Sequence, residues 1–154
     1  MTAPIDLVPR PHAGGVHRYP LRIYFEDTDA GGVAYHANYL RWAERARTES
    51  LRDMGLPHNL MMERHHSLLV VRRLEVAYIR PARLDDLVTV ESRIVKAGAA
   101  SLEVAQDVVA ADGAVLARLK VGLVCVSADT LRPVPLPEPW RSALRPVPED
   151  GTGH

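Results

Sequence analysis

The chain has 154 residues with 19 basic and 19 acidic side chains, so its formal net charge is zero and there is no general electrostatic case for nucleic acid or a membrane surface. The length suits one domain, and a single cysteine, Cys125, excludes an internal disulfide. No apolar run approaches the ~20 residues of a membrane span, and the N-terminus has no signal-like apolar core, so the expectation is a soluble, cytoplasmic chain.

Residues 1–17 carry three prolines and a Gly14-Gly15 pair without apolar periodicity, and read as a disordered tail. From Arg18 to Glu26, Tyr19, Leu21, Ile23 and Phe25 alternate with Arg18, Arg22, Tyr24 and Glu26, which predicts a half-buried strand with Pro20 near its start or on an edge. Asp27 to Val33 reads as a loop turned by Gly31-Gly32. A helix is predicted from about Ala37 to Met54, since Tyr39, Trp42, Ala43, Ala46 and Met54 fall at three- and four-residue steps. Arg45 and Glu49 form a candidate i,i+4 pair on its wet side. Gly55-Leu56-Pro57 stops it: glycine takes the left-handed cap and proline cannot continue.

Four strands follow. Ser67–Arg80 alternates through Leu68, Val70, Leu74, Val76 and Tyr78. Leu87–Val95 alternates through Val88, Val90 and Ile94, and Leu102–Val109 repeats the pattern before an Asp112-Gly113 hairpin signal. Val115, Ala117, Leu119, Val121, Leu123 and Cys125 mark one face of the last strand. Six prolines in the final 22 residues predict an extended tail. The organisation expected is a tail over 1–17, a domain over 18–138 and a proline-rich tail over 139–154. One strand, a long helix and an antiparallel meander can bury their apolar faces only with the helix lying across the sheet, an α+β architecture whose exposed sheet edges favour pairing with a second copy.

Chemistry concentrates where loop meets helix. A helix N-terminus offers unpaired N–H groups and about half a positive charge, and Tyr35 to Asn38 is where those donors fall. Aimed at a carbonyl, they stabilise the oxyanion formed on attack. A carboxylate on the preceding loop can act as nucleophile or as base for water. One carboxylate with an oxyanion donor suits a thioester best, because a thiol with pKa near ~8.5 leaves as thiolate without an acid. The plain alternative is that Glu26-Asp27-Thr28-Asp29 only forms turns and caps the helix.

The run Tyr24-Phe25-Glu26-Asp27-Thr28-Asp29-Ala30-Gly31-Gly32-Val33-Ala34-Tyr35-His36-Ala37-Asn38-Tyr39-Leu40, continued by Glu44-Arg45-Ala46-Arg47-Thr48-Glu49, resembles the hotdog-fold acyl-CoA thioesterases of the 4-hydroxybenzoyl-CoA thioesterase family, above all the branch associated with the Tol-Pal envelope system. The resemblance implies a hotdog fold, a five-stranded antiparallel sheet wrapped around one long central helix. It implies Asp29 as the catalytic carboxylate and His36 as the residue whose backbone N–H polarises the thioester carbonyl, with Gly32, Val33 and Tyr35 binding substrate. It implies no cofactor beyond the coenzyme A of the substrate, an acyl-CoA or acyl carrier protein substrate, and a homodimer assembling to a homotetramer.

Glu44 and Glu49 share the helix and are expected to pair with Arg41, Arg45 or Arg52. His65-His66 is not expected to hold a metal, since neighbours in an extended chain point apart and no further ligand stands at ligand spacing. Cys125 reads as a core thiol. Arg64, Arg72, Arg73, Arg80, Arg83, Arg93 and Lys96 are available for coenzyme A phosphates. Two competitors remain. A hydratase would need an Asp/His pair that is not found, and a non-catalytic acyl-thioester-binding or Tol-Pal-linked scaffold would tolerate Asp29→Asn.

Overall fold

The computed structural model describes residues 7–147. Five strands, β1 (His17–Arg22), β2 (Ser67–Tyr78), β3 (Leu87–Ala97), β4 (Ser101–Ala110) and β5 (Val115–Ser127), form one sheet in the order β1-β3-β4-β5-β2. Every pairing is antiparallel. β1 and β2 are neighbours in sequence but occupy opposite edges, so the segment between them must cross a face of the sheet. Helix α1 (Asn38–Asp53) makes most of that crossing, and this is the expected hotdog arrangement.

The helix lies over β1 and β3 rather than over the middle of the sheet. Its Tyr39, Trp42, Ala43 and Ala46 are buried against Val88 and Val90. The alanines let the backbone approach closely, and burying a side chain of Trp42's size stabilises the fold by about 1.5–3 kcal/mol. A polar tether fixes the helix further along. Gln106 of β4, fully buried, donates to the Ala43 carbonyl and to Ser92 Oγ, both at 2.9 Å, and accepts from Arg47 Nη1 at 2.9 Å. Both Nε2 hydrogens and the Oε1 acceptor are thereby partnered, as burial requires.

Several elements differ from the sequence expectation. β1 stops at Arg22 because Ile23 bonds through its backbone to Asp85 and Asp86, and Tyr24 to Asp27 then closes a tight turn. Phe25, expected to be buried, is 80% exposed. Pro57 ends nothing further: it caps a second helix, α2 (His58–His65), which delivers the chain to β2. The expected Arg45–Glu49 pair is replaced by Arg52–Glu49 at 3.2 Å. In β2 the pairing slips between Val71 and Arg73, leaving Arg72 as an extra residue. Leu69 and Val71 therefore sit beside Cys125 and Leu123, whereas Leu74, Val76 and Tyr78 sit beside Val121, Leu119 and Ala117. The simple alternation Leu68, Val70, Leu74 crosses that slip and mixes the two faces.

Neither end behaves as plain tail over its described part. Arg10 N–H donates to the Met54 carbonyl at 3.0 Å, His12 Nε2 meets Ser50 Oγ at 2.9 Å and His17 Nε2 meets Asp53 Oδ2 at 2.7 Å, which lays residues 7–17 along the second half of α1. Beyond β5, Leu136, Trp140 and Leu144 are buried in the core, and Trp140–Ala143 forms a short helix, α3, despite the prolines. Trp140 Nε1 donates to the Leu56 carbonyl at 3.0 Å, and its ring meets the edge of His65. Residues 1–6 and 148–154 of the expected tails lie outside the described residues.

Candidate active site

The acidic loop is a small hairpin. Thr28 pairs with Ala34, Asp29 N–H donates to the Val33 carbonyl at 3.0 Å, and Gly32 N–H returns to the Asp29 carbonyl at 3.0 Å. Gly32 has φ +75°, a conformation that costs side-chain-bearing residues about 1–2 kcal/mol. The hairpin is held from behind by residues 82–84: Ala34 N–H donates to the Ala82 carbonyl, Leu84 N–H to the Gly32 carbonyl, and Val33 faces Arg83. Tyr39 of α1 accepts from Ala82 N–H at 2.9 Å. Loop, helix and the entry to β3 are thus one assembly.

Within that assembly the four acid-run residues divide by what their oxygens are doing. Asp27 Oδ2 accepts Tyr24 N–H at 2.8 Å, and its carbonyl takes both Tyr35 N–H and Asn38 Nδ2. Asp27 is consumed in building the turn and capping the helix. Thr28 Oγ1 donates to the Phe25 carbonyl. Glu26 is exposed. Asp29 is exposed and has one carboxylate oxygen, Oδ1, fixed at 2.9 Å by Gly31 N–H. Its other oxygen is engaged by no hydrogen bond among the described residues. Asp29 is the oriented acid with a face to offer.

The helix mouth divides the same way. Tyr35 N–H and Asn38 N–H are spent on Asp27 and Tyr35 carbonyls, while those of His36 and Ala37 have no backbone acceptor among the described residues. The His36 peptide is oriented from its other end, since Tyr78 Oη at the end of β2 donates to the His36 carbonyl at 2.9 Å. The rings of Tyr35, His36 and Tyr78 form a chain of aromatic contacts at the surface, with centroids at 4.3 Å and 6.2 Å. Gly32, Val33 and Tyr35, expected to bind substrate, are carried by this same hairpin. In the sequence Tyr78 carries no signal of a site role beyond being a tyrosine near the end of a strand. Losing its donor in Tyr78→Phe removes one hydrogen bond from the His36 peptide, worth about 0.5–1.5 kcal/mol, so kcat should fall roughly 2- to 10-fold with little change in fold, which steady-state kinetics and circular dichroism check together.

The other candidates are placed elsewhere. Glu44 is exposed and forms no ion pair within 4.0 Å among the described residues, contrary to the expected pairing with Arg41, Arg45 or Arg52. His65 ends α2 and His66 caps it with φ 48°. Cys125 is fully buried, and burial raises its thiol pKa, so it stays protonated.

A cavity of about 770 Å³ is lined by neither Asp29 nor His36. It begins at Leu40, one turn beyond His36, and fills the half of the sheet that α1 leaves uncovered, between Leu40, Glu44, Arg47 and Leu51 of the helix and Leu69, Leu74, Val104 and Val121 of the strands. Its lining residue nearest in sequence to the loop is Leu40 of α1, four positions past His36.

The thioesterase-like superfamily model matches residues 23–144, covering loop, helix and sheet together. The acyl-CoA thioester hydrolase YbgC of Escherichia coli O6:H1 is 41% identical over 121 residues, which is 79% of this chain and 90% of that protein. The acyl-CoA thioesterase YbgC of Haemophilus influenzae is 37% identical over 126 residues, 82% of this chain and 92% of that one. Among solved structures, a probable thioesterase from Bartonella henselae superposes with TM-score 0.75 at 34% identity, covering 79% of this chain and 99% of that one. A 1,4-dihydroxy-2-naphthoyl-CoA thioesterase from Synechocystis reaches TM-score 0.78 at 25% identity, covering 84% and 96%. The five-stranded sheet, the crossing helix and the loop that ends at its mouth are those of the thioesterase-like hotdog superfamily, and this chain belongs to it.

Proposed function

We propose that this chain hydrolyses acyl-CoA thioesters to the free acid and coenzyme A, with Asp29 as the working acid and the N–H groups at His36 and Ala37 as the oxyanion donors. The observation that carries the reading is the division of labour in the loop. Asp27 has its carboxylate and carbonyl committed to structure, while Asp29 is oriented through one oxygen and free at the other among the described residues, on the hairpin that leads into the helix-mouth donors, which have no backbone acceptor there. A carbonyl seated on those donors gains negative charge at its oxygen as Asp29, or a water it activates, attacks the carbon. The thiolate then leaves unaided. YbgC relatives named as acyl-CoA thioesterases support the substrate class.

Because the donor is backbone, His36→Ala should lower kcat less than Asp29→Asn does. Thiol release from a medium-chain acyl-CoA, followed for both variants, checks this. A loss in His36→Ala as deep as in Asp29→Asn would assign the reaction to the imidazole instead.

Asp29 and His36 are exposed, too open for chemistry that benefits from excluding water. Tyr78, which holds the His36 carbonyl, ends the edge strand β2, 12 residues long, with Val71, Leu74 and Tyr78 exposed along it. A second copy pairing along that edge would wall the site and cover the apolar strip, which supports a homodimer as the working unit and a pair of dimers as its assembly. No helix of the described residues is long and apolar enough to cross a membrane. A cytoplasmic location, the alternative acyl carrier protein substrate and the association with the Tol-Pal system belong to the same proposal and rest on the motif's resemblance.

A further inference from the structure

The cavity that starts at Leu40 is lined mainly by apolar side chains, with three guanidiniums among them: Arg93 and Arg145 are exposed, and Arg47 alone is partly buried. Arg47 lines it, is partly buried, and makes one hydrogen bond, to Gln106 Oε1 at 2.9 Å. Gln106 is itself immobilised by Ala43 and Ser92, so it holds Arg47 in place without neutralising it. None of the ion pairs among the described residues involves Arg47; Glu44, one turn nearer the mouth, is exposed and lies beyond 4.0 Å. Burial lowers the guanidinium's pKa and Glu44 only partly opposes this, and nearby His58 is pushed toward its neutral form by burial and by Arg47. Five N–H donors are thus held at a partly buried place in the cavity wall, with four unmatched by protein acceptors among the described residues. A cation left this way in an apolar cavity is costly unless a ligand completes it.

The position along the helix supplies the length. Ala37 and Arg47 are ten residues apart on one helix, about 15 Å along its axis, and the Arg47 side chain leans back toward the N-terminus. We infer that the cavity takes an acyl chain of medium length whose far end carries a carboxylate, received by Arg47. The substrate class is then the mono-CoA thioester of a dicarboxylic acid. Arg47 acts as a specificity-determining residue, reading the end of the chain opposite the thioester.

This inference rests on the proposed hydrolysis, so its test has two arms. In the first, wild type, Arg47→Met and Arg47→Lys are assayed on matched pairs of substrates, a plain acyl-CoA and its ω-carboxyl counterpart, from six to twelve carbons. The expected result is that wild type prefers the ω-carboxyl member at one or more lengths. The ratio of kcat/KM values should fall about tenfold or more in Arg47→Met and be partly retained in Arg47→Lys, since a hydrogen-bonded charge is being removed or kept. In the second, the same pairs are titrated calorimetrically into the Asp29→Asn protein with and without Arg47→Met, which reads binding alone. If nothing is hydrolysed in the first arm, the proposed function fails and the second arm still decides the subsite. Equal preference for the two members at every length in wild type, or a preference that survives Arg47→Met, would overturn the inference; the wild-type comparison needs no variant to fold.

Discussion

Asp29→Asn should lose thiol release by about 10²- to 10⁴-fold while keeping its fold and its melting temperature. The fold is kept because asparagine still presents an oxygen to Gly31 N–H, the one hydrogen bond the Asp29 side chain makes. What goes is the negative charge and with it the ability to attack or to take a proton from water. Asp27→Asn is the matched control. Asparagine there can still accept Tyr24 N–H, and the Asp27 carbonyl contacts to Tyr35 and Asn38 are untouched. Activity in Asp27→Asn should stay within a few-fold of wild type. Two neighbouring acids with the same substitution and opposite outcomes would separate the reacting carboxylate from the architectural one. Comparable losses in both would mean that the loop, not the acid, was being measured.

The second large effect concerns stability. Trp140→Ala should destabilise the chain by about 3–5 kcal/mol, because it empties a fully buried site and leaves the Leu56 carbonyl without its donor. For a domain of this size the melting temperature should drop on the order of 10 °C. Differential scanning calorimetry is the measurement. A shift of a degree or two would show that the segment after β5 rests on the core without holding it together.

That second prediction could not have come from counting prolines. Leu136, Trp140 and Leu144 are spaced four apart, a helical interval, but the prolines among them outweighed the spacing in a reading by composition. Proline at an N-cap or in a connection does not prevent the next residues from packing. Pro57 shows the same thing. It stopped α1 as expected, yet it also starts α2, whose only fully buried residue is Met61 and which therefore carries almost no periodic signal. The long helix was legible because Tyr39, Trp42, Ala43 and Ala46 must all face the sheet, and Gly55, with φ +80°, ends it by a mechanism that the sequence displays. β2 was legible in extent but not in parity, since a one-residue slip at Arg72 reverses which alternate residues face inward and leaves no mark in the alternation itself. In the site, the loop and helix mouth were marked by Gly31-Gly32 and the acids. The choice of Asp29 over Asp27 rests on resemblance; the hydrogen bonds show that the two carboxylates differ, Asp27 closing the turn to Tyr24 and Asp29 bonded among the described residues only to Gly31, a difference the sequence does not display. Tyr78 and Arg47 reach the site and its cavity from across the fold or through a buried glutamine, contacts that no local pattern encodes.

Turnover of acyl thioesters at the Asp29 loop is directly measurable. Purified protein mixed with a panel of acyl-CoAs and a thiol-reactive dye tests it most directly. Multiple turnovers of coenzyme A per chain are expected with at least one acyl-CoA, matched by free acid and absent in Asp29→Asn. Tight binding of acyl-CoA by wild type with no thiol released from any member of the panel would contradict it.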